Sequence, residues 1–121
     1  SWQYRQAGAQ EVLTVAPERW ALQRELSGEP EPPLPVLLAR MDQVDLVLIE
    51  GFKREAHPKI EIHRVANGKP PLHPDDPTIL AVVSDAAFPG LALPLLHLDD
   101  IAAVADIVQS CARAMNEIDW C

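Results

Sequence analysis

A chain of 121 residues, 48% of them hydrophobic, is about one domain long and holds enough apolar material for a core, which argues against disorder as a global description. Its formal net charge of −8 argues against nucleic acid or anionic membrane as the main partner, because phosphate-dominated binding needs a basic footprint; a locally basic pocket stays open. No apolar stretch of about 18 residues offers a membrane span, and no basic-then-apolar leader opens the chain. Cys111 and Cys121 form neither a ligand spacing nor a disulfide framework, which fits ordinary thiols in a reducing cytoplasm.

The chain opens on Ser1-Trp2-Gln3-Tyr4-Arg5-Gln6-Ala7-Gly8 without an initiating Met, as a helix entered at its cap, and this start reads as a cut in a longer protein. Trp2 to Gln6 is a short helix that Gly8 stops, and Glu11 to Ala16 has strand composition up to Pro17. Arg19 to Leu26 is too short for periodicity to separate strand from helical turn, and strand is preferred. Ser27 to Pro33, with Gly28, Pro30, Pro32 and Pro33, is a stiff surface connection. Pro35 suits the first turn of a helix running to Met41, since proline has no N–H to lose there.

Asp45-Leu46-Val47-Leu48-Ile49-Glu50-Gly51-Phe52-Lys53 is the most informative run. Four consecutive apolar residues, two of them β-branched, predict a central parallel strand covered on both faces. Glu50 then arrives at the strand's C-terminal end, where ligands bind in open α/β sheets and where an acid can hold a Mg²⁺-bound water or orient a nucleophile. Gly51 lets the backbone turn tightly beside it. Lys59 to Arg64 alternates polar with apolar residues, as a half-exposed strand does, with Lys59, Glu61 and His63 on a solvated face.

Asn67-Gly68 signals a turn, and Lys69 to Pro77, with four prolines, cannot be regular. Ile79 to Val83 is a second buried-type strand, closing in Ser84-Asp85 much as the first closes in Glu50-Gly51, so the two ends could share one rim. Leu93 to Leu98 makes a short strand or extended segment. Asp99-Asp100 then caps a helix from Ile101 to about Asn116, with Ile101, Val104, Ala105, Val108, Ala112 and Met115 on its buried face. The four histidines show no metal-ligand spacing. Trp2, Trp20 and Phe52 suit a core or a dimer interface. Strands alternating with helices predict an α/β fold with a largely parallel sheet.

The run from Asp45 to Lys53, followed by Pro58-Lys59-Ile60-Glu61-Ile62, resembles the molybdopterin-guanine dinucleotide biosynthesis protein B (MobB) family. Ser1 to Ala9, Pro17 to Leu22 and Ala81-Val82-Val83-Ser84-Asp85 resemble further segments of that family in the same order. The resemblance implies a P-loop NTPase-like α/β fold, a mostly parallel sheet flanked by helices, with residues 1–121 as the C-terminal portion of one nucleotide-binding domain. Such proteins bind GTP with Mg²⁺, have at most weak GTPase activity and assist the guanylyltransferase that attaches GMP to molybdopterin. A cytoplasmic homodimer in contact with that enzyme and with a molybdopterin-type small molecule is therefore implied.

By the same resemblance Glu50 is the catalytic and metal-side acid, and Arg5, Gly51, Lys53, Ser84 and Asp85 are nucleotide-side residues. Each also has a plainer reading: Lys53 as a solvated loop lysine, Arg5 as a surface arginine, Asp85 as a turn or cap residue. The sequence departs from the family in one respect. It contains no Gly-x-x-x-x-Gly-Lys-[Ser/Thr] loop, whose N–H groups and lysine cradle phosphates. In the family that loop lies on the first strand and helix, so the N-terminal strand and P-loop would precede Ser1, and their absence would leave neighbouring apolar faces uncovered. The alternative function is a non-catalytic adapter and dimerisation module for the guanylyltransferase.

Overall fold

The computed structural model describes residues 2–120. Ser1 as the helix cap and Cys121 as a thiol lie outside them. The chain divides into two units, Ser1–Met41 and Asp42–Cys121.

In the first unit α1 (Trp2–Gln6) ends where sequence reading places its stop. Gly8 has φ +93°, and its N–H donates to the Arg5 carbonyl while that of Ala9 donates to the Tyr4 carbonyl, a Schellman closure that only glycine enters without strain. β1 (Glu11–Ala16) and β2 (Arg19–Arg24) pair antiparallel around Pro17 and Glu18, confirming strand for the ambiguous second segment. Their register sets Glu11 opposite Arg24, Leu13 opposite Leu22 and Val15 opposite Trp20. Directly opposed residues share a face, so this two-stranded ribbon carries an apolar ladder on one side. That side is uncovered: Val15 is 71% and Trp20 70% exposed. α2 (Leu34–Leu38) is entered through Pro33, holds Pro35 in its first turn and buries Leu34 and Leu38. It stops short of Met41.

The second unit is built on the parallel sheet β3 (Lys59–His63), β4 (Ile79–Ser84) and β5 (Leu95–His97), in that order across the sheet. β4 is central and supplies the core, with Ile79, Ala81, Val82 and Val83 all buried. α3 (Ile101–Cys111) is capped by Asp100, whose Oδ1 accepts from the Ala103 N–H at 3.1 Å. It is five residues shorter than its apolar spacing predicts, and a 3₁₀ turn at Met115–Glu117 follows. The half-buried stripe is Ala103, Val104, Ile107, Val108 and Cys111, while Ile101, Ala105, Ala112 and Met115, assigned inward from their spacing, are exposed. Among the described residues no helix is long and apolar enough to cross a membrane.

Two further expectations fail. The run from Asp45 to Glu50 belongs to no strand. Its composition suits a sheet interior, but a strand has no internal hydrogen bonds and forms only against a neighbour, and neither β3, β4 nor β5 pairs with it. Leu48 is accordingly 74% exposed. The polar face of β3 is also not solvated. Lys59 and His63 are half-buried and Glu61 is buried, because the proline-rich loop that follows folds back over them.

Candidate functional site

The three polar residues of β3 each tie down one point of residues 69–78, in order along the strand. The Lys59 ammonium donates to the Glu55 carbonyl and to Thr78 Oγ1, the latter at 2.6 Å, and lies 3.4 Å from Asp76 Oδ2. Glu61 accepts three hydrogen bonds, from the Leu72 N–H at 2.6 Å, the His73 N–H at 2.9 Å and His73 Nδ1 at 2.8 Å. His63 Nε2 lies 3.2 Å from the Lys69 carbonyl, and its Nδ1 lies 3.2 Å from Ser84 Oγ. Phe88 stands edge-on to both His63 and His73, with ring centroids 5.3 and 5.2 Å away. A loop that cannot satisfy its own backbone is thus held by side chains one strand away.

The carboxyls reflect this. Burial alone would raise the pKa of Glu61, but the N–H donors of Leu72 and His73 and the His73 ring together outweigh it and hold the group below its ordinary value. Asp76 is lowered likewise: burial opposes, while the Thr78 hydroxyl and N–H and the Lys59 ammonium prevail. His57 goes the other way for its charged form. Burial first and the nearby Lys59 charge second lower its pKa, against the weaker pull of Glu55 and Asp76. The residue is 7% exposed, its ring is tilted against Trp120 with centroids 6.2 Å apart, and its Nδ1 has no hydrogen-bond partner.

Glu50, Gly51 and Lys53 come together on the wall of one cavity of about 860 Å³, together with His57, β3 and the stretch after α3. Gly51 has φ +88° and Phe52 φ +48°, so two successive residues take the left-handed region immediately after the apolar run. For phenylalanine that conformation costs roughly 1–3 kcal/mol, the kind of local strain that recurs at functional turns. The turn carries the chain from Glu50 to Lys53, both exposed.

The other sequence-assigned residues lie elsewhere. Ser84 is buried at the end of β4, where its Oγ accepts from the Ala86 N–H at 3.0 Å in addition to its His63 contact. Asp85 accepts from the Val65 N–H at 3.0 Å. Both serve the loops around His63 and neither lines the cavity. Arg5 is in the first unit and pairs with Glu25 at 3.1 Å.

Sequence reading missed His57, Glu61 and Asp76. A polar residue alternating with Ile60 and Ile62 has the signature of an exposed face, and only the four prolines of residues 69–77 hinted at a loop needing outside anchors. Among the described residues no group of three or more His, Cys, Asp or Glu side chains is placed to hold a metal ion.

Comparison with known proteins places these features. The family model described as molybdopterin guanine dinucleotide synthesis protein B matches residues 1–85. A molybdopterin-guanine dinucleotide biosynthesis adapter protein of Escherichia coli is 36% identical over 119 residues, covering 96% of this chain and 67% of that protein. A protein of the same description from Haemophilus influenzae is 36% identical over 113 residues, covering 91% of this chain and 61% of that protein. The chain thus spans about two thirds or less of the curated relatives it matches.

Proposed function

The chain belongs to the molybdopterin guanine dinucleotide synthesis protein B family, and on that premise we propose that it is an accessory protein of molybdopterin guanine dinucleotide synthesis, acting as an adapter for the guanylyltransferase. The observation that carries this reading is the likeness over nearly the whole chain to two proteins described as molybdopterin-guanine dinucleotide biosynthesis adapter proteins. The uncovered ladder of Leu13, Val15, Trp20 and Leu22 supports it, since an adapter needs a protein-facing surface and large exposed apolar patches mark such surfaces. In this reading the ladder joins two copies into a homodimer, and the enzyme engages the dimer.

GTP and Mg²⁺ are part of the proposal for the natural protein, with Glu50, Gly51 and Lys53 on the acid-bearing side of the nucleotide. Residues 2–120 alone do not fit that group. They hold no glycine-rich loop opening a helix and no three-ligand acidic cluster, and Ser84, Asp85 and Arg5 are engaged within the chain. No step of phosphate chemistry is assigned to them. Calorimetry with GTP and Mg²⁺ on residues 1–121 is expected to give no binding; micromolar binding would relocate the nucleotide site.

The adapter proposal is tested by calorimetry against the family's guanylyltransferase, with sedimentation measured in parallel. Wild type is expected to bind and to sediment as a dimer. The double change Val15→Asp and Trp20→Asp is expected to abolish both while the second unit keeps its circular dichroism. Absence of enzyme binding by the wild-type protein would overturn the adapter reading, and an unchanged sedimentation coefficient in the variant would remove the ladder from the interface.

A further inference from the structure

Lys59 differs from the other polar residues of β3 in where its partners lie. Glu61 and His63 reach only into the loop that follows β3 and to the end of β4. Lys59 reaches in two directions. Its ammonium donates to the Glu55 carbonyl, in the segment before β3, and to Thr78 Oγ1, in the segment before β4, with Asp76 Oδ2 at 3.4 Å. An ammonium has three N–H donors, and these partners take all three. The side chain is only 13% exposed, so its charge is met inside the fold and not by solvent.

The Asp76–Thr78 end is braced. Asp76 Oδ1 accepts from the Thr78 N–H at 2.9 Å and from the Thr78 hydroxyl at 2.6 Å, which leaves Oδ2 to face Lys59. The Lys59 N–H donates to the Thr78 carbonyl at 2.9 Å, so the sheet itself fixes this corner. The Glu55 end has no such support of its own.

Glu55 closes the strained turn on the cavity wall, in which Gly51 has φ +88° and Phe52 φ +48°. Among the described residues the backbone of residues 51–55 makes one hydrogen bond within itself, from the Glu55 N–H to the Phe52 carbonyl at 3.1 Å. Gly51, Lys53 and Arg54 are exposed, so packing holds little of the turn. A residue other than glycine stays left-handed only where its surroundings over-determine it. The Glu55 carbonyl is the point at which the surroundings take hold.

We propose that Lys59 is the positioning residue of this turn: by clamping the Glu55 carbonyl to the Asp76–Thr78 corner it keeps Phe52 left-handed, and so sets where Glu50 and Lys53 stand. Glu61 anchors a loop, whereas Lys59 joins that loop to the turn. Only the functional consequence, alignment of Glu50 and Lys53 toward a nucleotide, rests on the nucleotide-side role proposed for those residues. The clamp stands on the geometry of residues 51–78.

Backbone NMR and amide exchange on residues 1–121 test the clamp. In Lys59→Met, which keeps the stem and removes the donors, Phe52 is expected to leave the left-handed region and the Glu55 N–H to exchange at least roughly tenfold faster. The Leu72 and His73 N–H groups, held by Glu61, are expected to keep their rates. Phe52→Gly separates a clamp on strain from general stabilisation, because glycine is left-handed without strain. In that background Lys59→Met is expected to speed Glu55 exchange by less than roughly threefold. A Phe52 that stays left-handed in Lys59→Met would overturn the clamp. So would equal acceleration with and without Phe52→Gly, or equal acceleration at Leu72 and His73.

If Lys59→Met does not fold, Asp76→Asn and Thr78→Val loosen the far end of the clamp instead. Each is expected to speed Glu55 exchange roughly threefold, and unchanged rates in both would count against the clamp. In the complete natural gene product Lys59→Met is expected to weaken GTP binding in Mg²⁺ at least roughly tenfold, as the loss of about one charge-assisted hydrogen bond would. Unchanged affinity would remove the functional consequence. A wild-type protein that binds no GTP would defeat the nucleotide-side role of Glu50 and Lys53, while the conformation of Phe52 would still decide the clamp.

Discussion

Residues 45–50 and β4 are close relatives in composition and opposites in structure. Each is an apolar run ending in a polar residue and a turn, Glu50-Gly51 in one and Ser84-Asp85 in the other. β4 lies between two strands, and Val82 at its centre is 0% exposed. Residues 45–50 pair with no strand, and Leu48 stands in solvent. Apolar, β-branched sequence is thus a capacity to enter a sheet. Whether it does so depends on partners that the segment itself does not contain.

Mutations should expose that contrast. The largest effect is expected beside β4, where Glu61→Ala removes a buried acceptor and leaves the Leu72 and His73 N–H groups without partners. A loss of about 3 kcal/mol in urea unfolding is expected, with residues 69–76 becoming protease-sensitive. Val82→Ala should cost about 2 kcal/mol, through lost burial and the cavity left behind. Gly51→Ala, at φ +88°, should cost about 1 kcal/mol even though a methyl group there meets nothing within 4 Å, since the penalty is backbone strain and not a clash. Leu48→Ala should change stability by less than about 0.5 kcal/mol in residues 1–121. If Leu48→Ala cost as much as Val82→Ala, the two regions would be equally buried and the contrast would fail.

Acid should separate the regions as well. His57 has a lowered pKa in the folded state, so the unfolded chain binds its proton more readily. Its contribution is complete above the unfolded value of about 6.5 and is lost as pH falls below it toward the folded value. Glu61 and Asp76 are also lowered. Their contribution is present above the ordinary carboxylate range and is lost as pH falls through the folded values. Unfolding midpoints should therefore drop in two stages, and His57→Leu should flatten the first stage alone. A profile for His57→Leu that matches wild type between pH 7 and 5 would exclude His57 as its source.

Much of the fold could be read from the chain because it rests on local chemistry. Gly8 stops α1, Pro17 turns the hairpin, Pro35 opens α2 and Asp100 caps α3, each acting within a few residues of itself. The apolar run of β4 and the Asn67-Gly68 turn belong to the same class, with Gly68 at φ +62°. The site was less readable. Glu50, Gly51 and Lys53 do meet at one wall, because they are neighbours in sequence. Ser84 and Asp85 do not join them, since the end of β4 is occupied by its own loop contacts with His63 and Val65.

What the sequence determined by itself, then, is which segments can be helix, strand or turn and where glycine and proline must interrupt them. The tertiary structure alone decided that Glu61 is an anchor and not a solvated residue, that His57 is buried with its pKa lowered, and that residues 45–50 have no ladder. The physical reason is common to all three. Capping and turn preferences act over a few residues and are written locally, whereas sheet pairing and the burial of polar groups depend on partners distant in sequence.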